Sequence, residues 1–273
     1  MPGKKDDKIN YSDEQIAALL KGIYDGSITP YDLPESLYYA IADNLKKALY
    51  DGYGGTLVDF TGPDEVLLNE LRDNVYMFSG AKVFQQINEL SLVKDANLKS
   101  FADFKTEALK IYEQYNIDWL KTEYSTAIGQ GQNAVRWNQV EQQKETLPYL
   151  RYSDVEDANE CEICAPLGGI VLPVDDPFWD EFMPLNHFNC RCTVEQLDYT
   201  DKDKITPAAE VEEKLAGTEE KPGPRKTMQP LFKMNPGKDG YIFSPDHPYF
   251  TVAKKDVAFA QRNFGLPIPA KDK

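Results

Sequence analysis

The first 145 residues repeat apolar side chains every three or four positions, and this constrains the fold more than any other feature. Such spacing places the apolar side chains on one face of a helix, which must then pack against a partner. Ser12 and Gln15 form a capping-box pattern that predicts the first helix, and Gly26 predicts its end. A second helix is expected from about Pro34 to the glycine-rich residues 52–55, and a third opens at Pro63.

Two further stripes, each a set of apolar side chains at helical spacing, predict a fourth and a fifth helix before Pro148. The fourth stripe consists of Phe101, Phe104, Ala108, Ile111 and Tyr115, and the fifth of Leu120, Tyr124, Ala127, Gly131, Ala134 and Trp137. Because the aromatic residues fall in phase with the aliphatic ones, we interpret them as core residues rather than as a surface for stacking nucleic-acid bases.

The helical spacing of apolar residues ends at about Pro148. Two short segments with strand-forming composition, 149–152 and 193–197, flank a loop-rich stretch that holds every cysteine. A short helix is expected over 208–216, and the last 40 residues are too rich in aromatic side chains for a disordered tail. We therefore expect an α+β fold that is mainly helical. The expected domains are a helical domain (1–148), a Cys/His module (149–200), a short helix and linker (201–230) and a C-terminal appendage (231–273).

Charge is distributed unevenly along the chain. The net charge is −15, but residues 221–273 hold ten Lys or Arg against four Asp or Glu, a balance of +6. The remaining 220 residues therefore carry a balance of −21, which disfavours contact between this body and a phosphate backbone. DNA contact through the basic C-terminal region stays open, with a solvated tail as the alternative.

The apolar segments of the chain are short. No run approaches the roughly 20 residues that a membrane-spanning helix needs, and Met1–Lys8 lacks the apolar region of a signal peptide. We expect a protein without membrane contact that resides in a cytoplasm, where thiols stay reduced.

The cysteines form one compact pattern: Cys161-x2-Cys164, then 22 residues, then His187-x2-Cys190-x-Cys192. Two thiols separated by two residues can bind one ion from a single turn, and a distant second pair completes the tetrahedron of a structural zinc site. The segment offers five candidate ligands, whereas a zinc ion in such a site has about four coordination positions. We expect Cys161, Cys164 and His187 to bind together with one of Cys190 or Cys192. Cys190 and Cys192 lie in a strand-like segment, and we expect them to point to opposite faces unless the backbone bends.

Three other interpretations of these cysteines remain open: buried thiols without metal, a disulfide in an oxidising setting, and a cysteine nucleophile with His187 as its base. Zinc deaminase chemistry does not fit, because it requires a His-x-Glu before the cysteine pair. A shell filled by thiolates and imidazole leaves no open position on the ion, which argues against catalysis. The nearby Asp175 and Asp176 precede Pro177 and fit a helix cap better than a pair of catalytic acids.

Several motifs together resemble the phage head morphogenesis family, which comprises minor head proteins similar to the Mu F protein and its siphophage counterparts. The resemblance covers about residues 10–200, and its most specific part is the cysteine segment. The motifs are Leu71-Arg72-x-Asn74-Val75-Tyr76-x-Phe78-Ser79-x-Ala81-Lys82, Trp119-Leu120-x2-Glu123-Tyr124-x2-Ala127, Tyr149-Leu150-Arg151-Tyr152, Asp157-Ala158-x2-Cys161-x2-Cys164-x2-Leu167-x-Gly169, Asp175-Asp176-Pro177-Phe178-Trp179-Asp180 and Pro184-x2-His187-x2-Cys190-Arg191-Cys192.

The resemblance implies a structural, non-enzymatic component of the procapsid and virion head. Such proteins occur in few copies near the portal vertex, assist head assembly and, in some phages, DNA exit. The implied partners are the portal protein and also capsid or scaffold proteins. An alternative function, a prophage-encoded effector or metal-dependent hydrolase using the Cys/His segment, is open because related domains are fused to toxin modules in prophages.

Overall fold

The computed structural model describes residues 9–95, 100–155, 161–219 and 228–264. Asp157 and Ala158 of the cysteine motif and linker residues 220–227 lie outside these ranges. The fold is mainly helical with one small sheet, which confirms the expected α+β class. The helices are α1 (Asp13–Asp25), α2 (Glu35–Tyr53), α3 (Pro63–Asp95), α4 (Phe101–Glu113), α5 (Leu120–Gln143), α6 (Phe178–Glu181), α7 (Ala208–Glu219), α8 (Pro236–Asp239) and α9 (Val257–Phe264). The strands are β1 (Tyr149–Ser153), β2 (Val171–Pro173) and β3 (Thr193–Leu197).

The ends of α1 follow from its sequence. The Ser12 side chain accepts the Gln15 backbone N–H while the Gln15 side chain accepts the Ser12 N–H, so the predicted capping box is confirmed. Gly26 ends the helix with φ 78°, a left-handed conformation that glycine adopts without steric cost. Helix α7 is longer than the predicted helix over 208–216, since it continues past Gly217 to Glu219.

The predicted fourth and fifth helices form one uninterrupted helical segment. A π-helical stretch, Gln114–Trp119, joins α4 to α5. The wider turn inserts an extra residue and so shifts the phase of the apolar stripe, which the sequence pattern shows only as a break between two helices.

The chain divides into two compact units. Unit 1 consists of Met1–Leu49, Arg72–Ala127 and Pro245–Lys273, and unit 2 of Tyr50–Leu71 and Ile128–Ser244. Each unit draws on segments that are distant in sequence. The domain boundaries expected from composition stay a prediction.

Unit 1 is a packed set of helices with an unusual polar contact in its core. Tyr24 of α1 packs on Phe101 and Phe104 of α4. Deeper inside, the fully buried Lys82 of α3 forms an ion pair with Glu123 of α5. Tyr249 from the C-terminal segment donates to the same carboxylate at 3.0 Å. Part of the predicted appendage is therefore built into the core of this unit.

Unit 2 contains the sheet and the cysteines. The strand order is β2-β1-β3, and both pairings are antiparallel. The alternate residues Leu150 and Tyr152 of β1 are fully buried, as the period of a strand with one covered face requires. The core beneath them also contains Trp137 of α5, Trp179 of α6 and Phe232 from the C-terminal region.

Within the described ranges, no helix is both long and apolar enough to cross a membrane.

Candidate metal centre

The loop that carries Cys161 and Cys164 is hydrogen-bonded to the central strand β1. Tyr152 of β1 donates its backbone N–H to Ile170 at 2.8 Å and accepts that of Gly169 at 3.0 Å. Gly169 has φ 73°, a conformation that strains other residues, so the loop turns here before entering β2. This attachment holds the first cysteine pair against the buried face of unit 2.

Cys161 and Cys164 lie in one tight turn, as their spacing predicts. The Cys161 carbonyl accepts the Ala165 N–H at 3.0 Å. The Cys161 sulfur accepts the Cys164 backbone N–H at 3.1 Å. A hydrogen bond of this kind favours the thiolate form of cysteine, which is the form that binds metal.

His187 and Cys190 lie in a second tight turn. The Cys190 N–H donates to the His187 carbonyl at 3.2 Å, and Asn189 between them adopts φ 59°. Asparagine tolerates this left-handed conformation better than most residues. The His187 Nδ1 atom lies 2.9 Å from the Phe188 carbonyl oxygen, which leaves Nε2 as the nitrogen available to an ion.

The two turns bring all five predicted ligands into one cluster. Donor atoms of Cys161, Cys164 and His187 lie within 4.8 Å of one another, and so do those of Cys164, Cys190 and Cys192. Cys164 therefore belongs to both groups. These groups have donor types that could hold a metal ion.

The expectation that Cys190 and Cys192 point to opposite faces is wrong. Strand β3 begins only at Thr193, and residues 190–192 lie in a loop. The sulfurs of Cys190 and Cys192 both lie close to that of Cys164. Even in an extended strand, side chains two residues apart share a face, so strand alternation does not support that expectation.

The cluster perturbs the protonation of its members. Hydrogen bonds with Cys164 and with His187 lower the pKa of Cys161 to about 4. Burial disfavours the charged form of His187, but hydrogen bonds with Cys161 and Cys190 outweigh it and raise the pKa to about 10. Contacts with Cys164 and Cys192 lower the pKa of Cys190. The cluster thus stabilises the thiolate form of Cys161 and Cys190, the form that metal ions require, whereas contacts with the neighbouring thiols raise the pKa of Cys164 and Cys192.

The cluster lies at the border between core and solvent. Cys164 is 1% exposed and packs in the core of unit 2, while the other three cysteines are partly buried. A surface depression above the cluster is lined by Cys161, Cys164, His187 and Cys192 together with Asp154, Val155, Asn189 and Arg191. All four cysteines are free thiols.

Asp175 and Asp176 do not take part in the cluster. Asp176 accepts the Phe178 N–H at 2.9 Å at the start of α6, but the N-cap of this helix is Pro177, so the aspartate lies one residue before the predicted cap position. Asp175 pairs with Lys144 at 3.0 Å.

Sequence reasoning missed Tyr152 and Asn186 as supports of the cluster. The buried Tyr152 hydroxyl donates to Asn186 Oδ1 at 2.6 Å, and Asn186 directly precedes His187. The Tyr152 side chain also lies within hydrogen-bonding reach of Cys164 and Cys192. A polar residue adjacent to a candidate ligand is a signal that could have indicated this role.

The second histidine, His247, belongs to unit 1 and has no part in the cluster. It lies in a buried turn, where His247 is 9% exposed and packs edge-on against Phe78. Burial and the nearby charge of Lys82 lower its pKa to about 3.

Comparison with known proteins shows that the part of the chain that holds the cluster is similar to a known family. Residues 85–195, which contain the whole cluster and most of the sheet, match the family model described as "Phage Mu protein F like protein". A stretch of 65 residues is 35% identical to the "Mu-like prophage FluMu F protein" of Haemophilus influenzae. That stretch is 24% of this chain, and the chain covers 16% of that relative's length. No solved structure matches the chain. Over residues 85–195 the chain is thus similar to the Mu F-like family, and the predicted resemblance to head morphogenesis proteins is confirmed.

Proposed function

We propose that this protein is a phage minor head protein, a structural component of the procapsid and virion head. The observation that carries the proposal is the Mu F-like match over residues 85–195, which includes both turns of the cysteine cluster. The protein acts at the portal vertex, assembles in the host cytoplasm, and takes part in head assembly and in DNA packaging or ejection. Its direct partners are the portal protein and also capsid or scaffold proteins.

The proposed role of the cysteine cluster is a structural zinc site. Zinc prefers thiolate and imidazole ligands in a tetrahedron, with Zn–S distances of about 2.3 Å, so two ligand sulfurs lie about 3.8 Å apart. The sulfurs of Cys164 and Cys190 are 3.7 Å apart, which fits one edge of that tetrahedron. The ion would join two loops of unit 2 that have little regular secondary structure.

We propose that the protein is not an enzyme. A zinc ion with four protein ligands has no position for water or substrate. The Cys161–His187 contact favours a second candidate, a hydrolase with a cysteine nucleophile, because it lowers the pKa of the thiol. However, the His187 Nδ1 atom faces a backbone carbonyl, whereas a catalytic histidine is usually oriented by a carboxylate or amide side chain. A folded Cys161→Ser variant that keeps zinc and loses hydrolytic activity would favour the hydrolase.

DNA contact through the basic C-terminal region is a further part of the proposed function. Lys233 pairs with Glu181 at 3.7 Å, and Lys238 pairs with Asp180, so two of its cations already have acidic partners. Deleting the region would also remove core side chains such as Phe232. Charge removal is the sharper test: a Lys254→Gln/Lys255→Gln variant should weaken DNA binding and its salt dependence if these exposed lysines contact phosphates.

Co-expression tests the proposed function. The tagged chain is produced together with the portal protein of the same genome and purified at moderate salt. We expect the portal to co-purify with the chain. A control substitution in unit 1, Lys110→Met on the exposed face of α4, should leave the association unchanged. Repeated failure to recover the portal or procapsids would refute the proposal.

A further inference from the structure

Five donors surround a site that takes four, so one residue of the cluster has a different role. Both turns supply their donors at the same spacing, with the first and fourth residues of each turn side by side. The first turn pairs Cys161 with Cys164, and the second pairs His187 with Cys190. Cys192 lies two residues beyond the second turn.

Contacts within the cluster separate Cys190 from Cys192. The Cys190 sulfur lies 3.7 Å from that of Cys164 and within hydrogen-bonding reach of the His187 ring. Cys190 therefore contacts members of both turns. Cys192 lies beside Cys164, Cys190 and the Tyr152 side chain.

The orientation of the histidine supports its place among the ligands. Metal-binding histidines usually donate the N–H of their other ring nitrogen to a carboxylate or a backbone carbonyl, which fixes the ring. The His187 Nδ1 atom lies 2.9 Å from the Phe188 carbonyl oxygen, in the position for such a bond. This contact directs Nε2 towards the cluster and favours an imidazole ligand over a fourth thiolate.

We infer that one ion is bound by Cys161, Cys164, His187 and Cys190, and that Cys192 is an uncoordinated thiol beside it. Cys192 lies within hydrogen-bonding reach of Tyr152 and also lines the surface depression. Its S–H group can donate to the neighbouring ligand thiolates, and it is the thiol of the metal-bound protein that reagents can modify. The inference rests on the proposed zinc site.

A matched pair of variants tests the ligand assignment in the full-length protein. Cys190→Ser and Cys192→Ser make the same change two residues apart, and cobalt(II) serves as a spectroscopic probe for zinc. We expect Cys192→Ser to keep one ion per chain with the spectrum of the parent protein. Cys190→Ser should lose more affinity than the roughly 10–100-fold that changes outside the ligand shell cost. His187→Ala should lose the ion or change the cobalt spectrum.

Thiol protection gives a second readout that does not depend on how the variants fold. The parent protein is treated with N-ethylmaleimide with and without bound zinc, and each cysteine is quantified by peptide mass spectrometry. Zinc should slow the modification of Cys161, Cys164 and Cys190 at least about tenfold relative to its effect on Cys192.

The outcomes distinguish failure of the assignment from failure of the zinc proposal. Protection of Cys192 without protection of Cys190, or metal loss in Cys192→Ser alone, would overturn the assignment and leave the zinc site in place. An unchanged cobalt spectrum in His187→Ala would do the same, since it would indicate four thiolates. A parent protein that binds neither zinc nor cobalt would overturn both, while the proposed head function would still rest on its own test.

Discussion

The Nζ atom of Lys82 lies 2.8 Å from each carboxylate oxygen of Glu123, with the lysine side chain fully buried. Tyr249 donates its hydroxyl to the same carboxylate, and its ring lies 5.2 Å from the lysine nitrogen. Burial lowers the pKa of Lys82, whereas Glu123 opposes that effect. This arrangement connects α3, α5 and the C-terminal segment within unit 1.

Removing one partner of the buried Lys82–Glu123 ion pair should destabilise the protein strongly. Lys82→Met leaves Glu123 as an unpaired acid in the core, and such changes cost about 3–5 kcal/mol. The double variant Lys82→Met/Glu123→Leu should recover much of this loss, because well-packed apolar replacements of buried ion pairs are often neutral. Urea unfolding measures the free energy of each variant.

The exposed pair Lys110–Glu107 provides the matched control for this measurement. Both side chains are at least half exposed, so Lys110→Met should change the unfolding free energy by less than about 1 kcal/mol. Equal effects of Lys82→Met and Lys110→Met would contradict the structural account of the buried pair.

Tyr249→Phe isolates the hydroxyl group of the C-terminal segment. The variant keeps the ring, which stacks on Tyr115, but removes the 3.0 Å bond to Glu123. We expect a loss of about 1.5–3 kcal/mol, the range for hydrogen bonds to charged groups. Tyr39→Phe, at a site that is 54% exposed, should have almost no effect. An equally small effect of Tyr249→Phe would show that the hydroxyl does not contribute to stability.

His247 should make stability depend on pH. Its pKa falls from 6.5 to about 3 in the folded protein, so between these values the unfolded chain binds a proton that the folded chain excludes. The unfolding free energy must therefore fall as the pH drops from about 6.5 towards about 3. Compared with His247→Gln, the parent protein should lose about 2–4 kcal/mol more between pH 7 and pH 4. Parallel curves for the two proteins would refute this prediction.

Metal removal should loosen the core of unit 2. The cluster packs against the same core as Trp137 and Trp179, so a zinc chelator should lower the thermal midpoint and shift tryptophan fluorescence to longer wavelength. Adding back stoichiometric zinc should reverse both changes. Cys164→Ser should behave like the chelated parent protein. A melting curve that is insensitive to chelator, in a protein shown to contain zinc, would contradict a stabilising role.

Most of the fold could be predicted because local signals agree with it. The capping box at Ser12, the left-handed Gly26 and the strand 149–152 each depend on residues that are close in sequence. The π-helical stretch 114–119 was missed because a phase shift in the apolar pattern has the same signature as a helix end. The buried Lys82–Glu123 pair was also missed, although both residues lie on the apolar phase of their helices, where a charge indicates a buried partner.

The residues of the candidate site could be predicted from the sequence, but their arrangement in space could not. Spacing alone identified all five residues that the structure brings together. It could not show that Asn189 bends the chain, because a positive φ at asparagine depends on the surrounding packing. Nor could it show that Cys190 contacts residues of both turns, because the two turns are separated by 22 residues and meet only in the folded chain.

The central claim, that this chain is a structural component of the phage head, is tested most directly by quantitative mass spectrometry of purified procapsids. Procapsids assembled with the chain present should contain it in a small, fixed number of copies relative to the portal. Its complete absence from procapsids that contain portal and capsid proteins would contradict the claim.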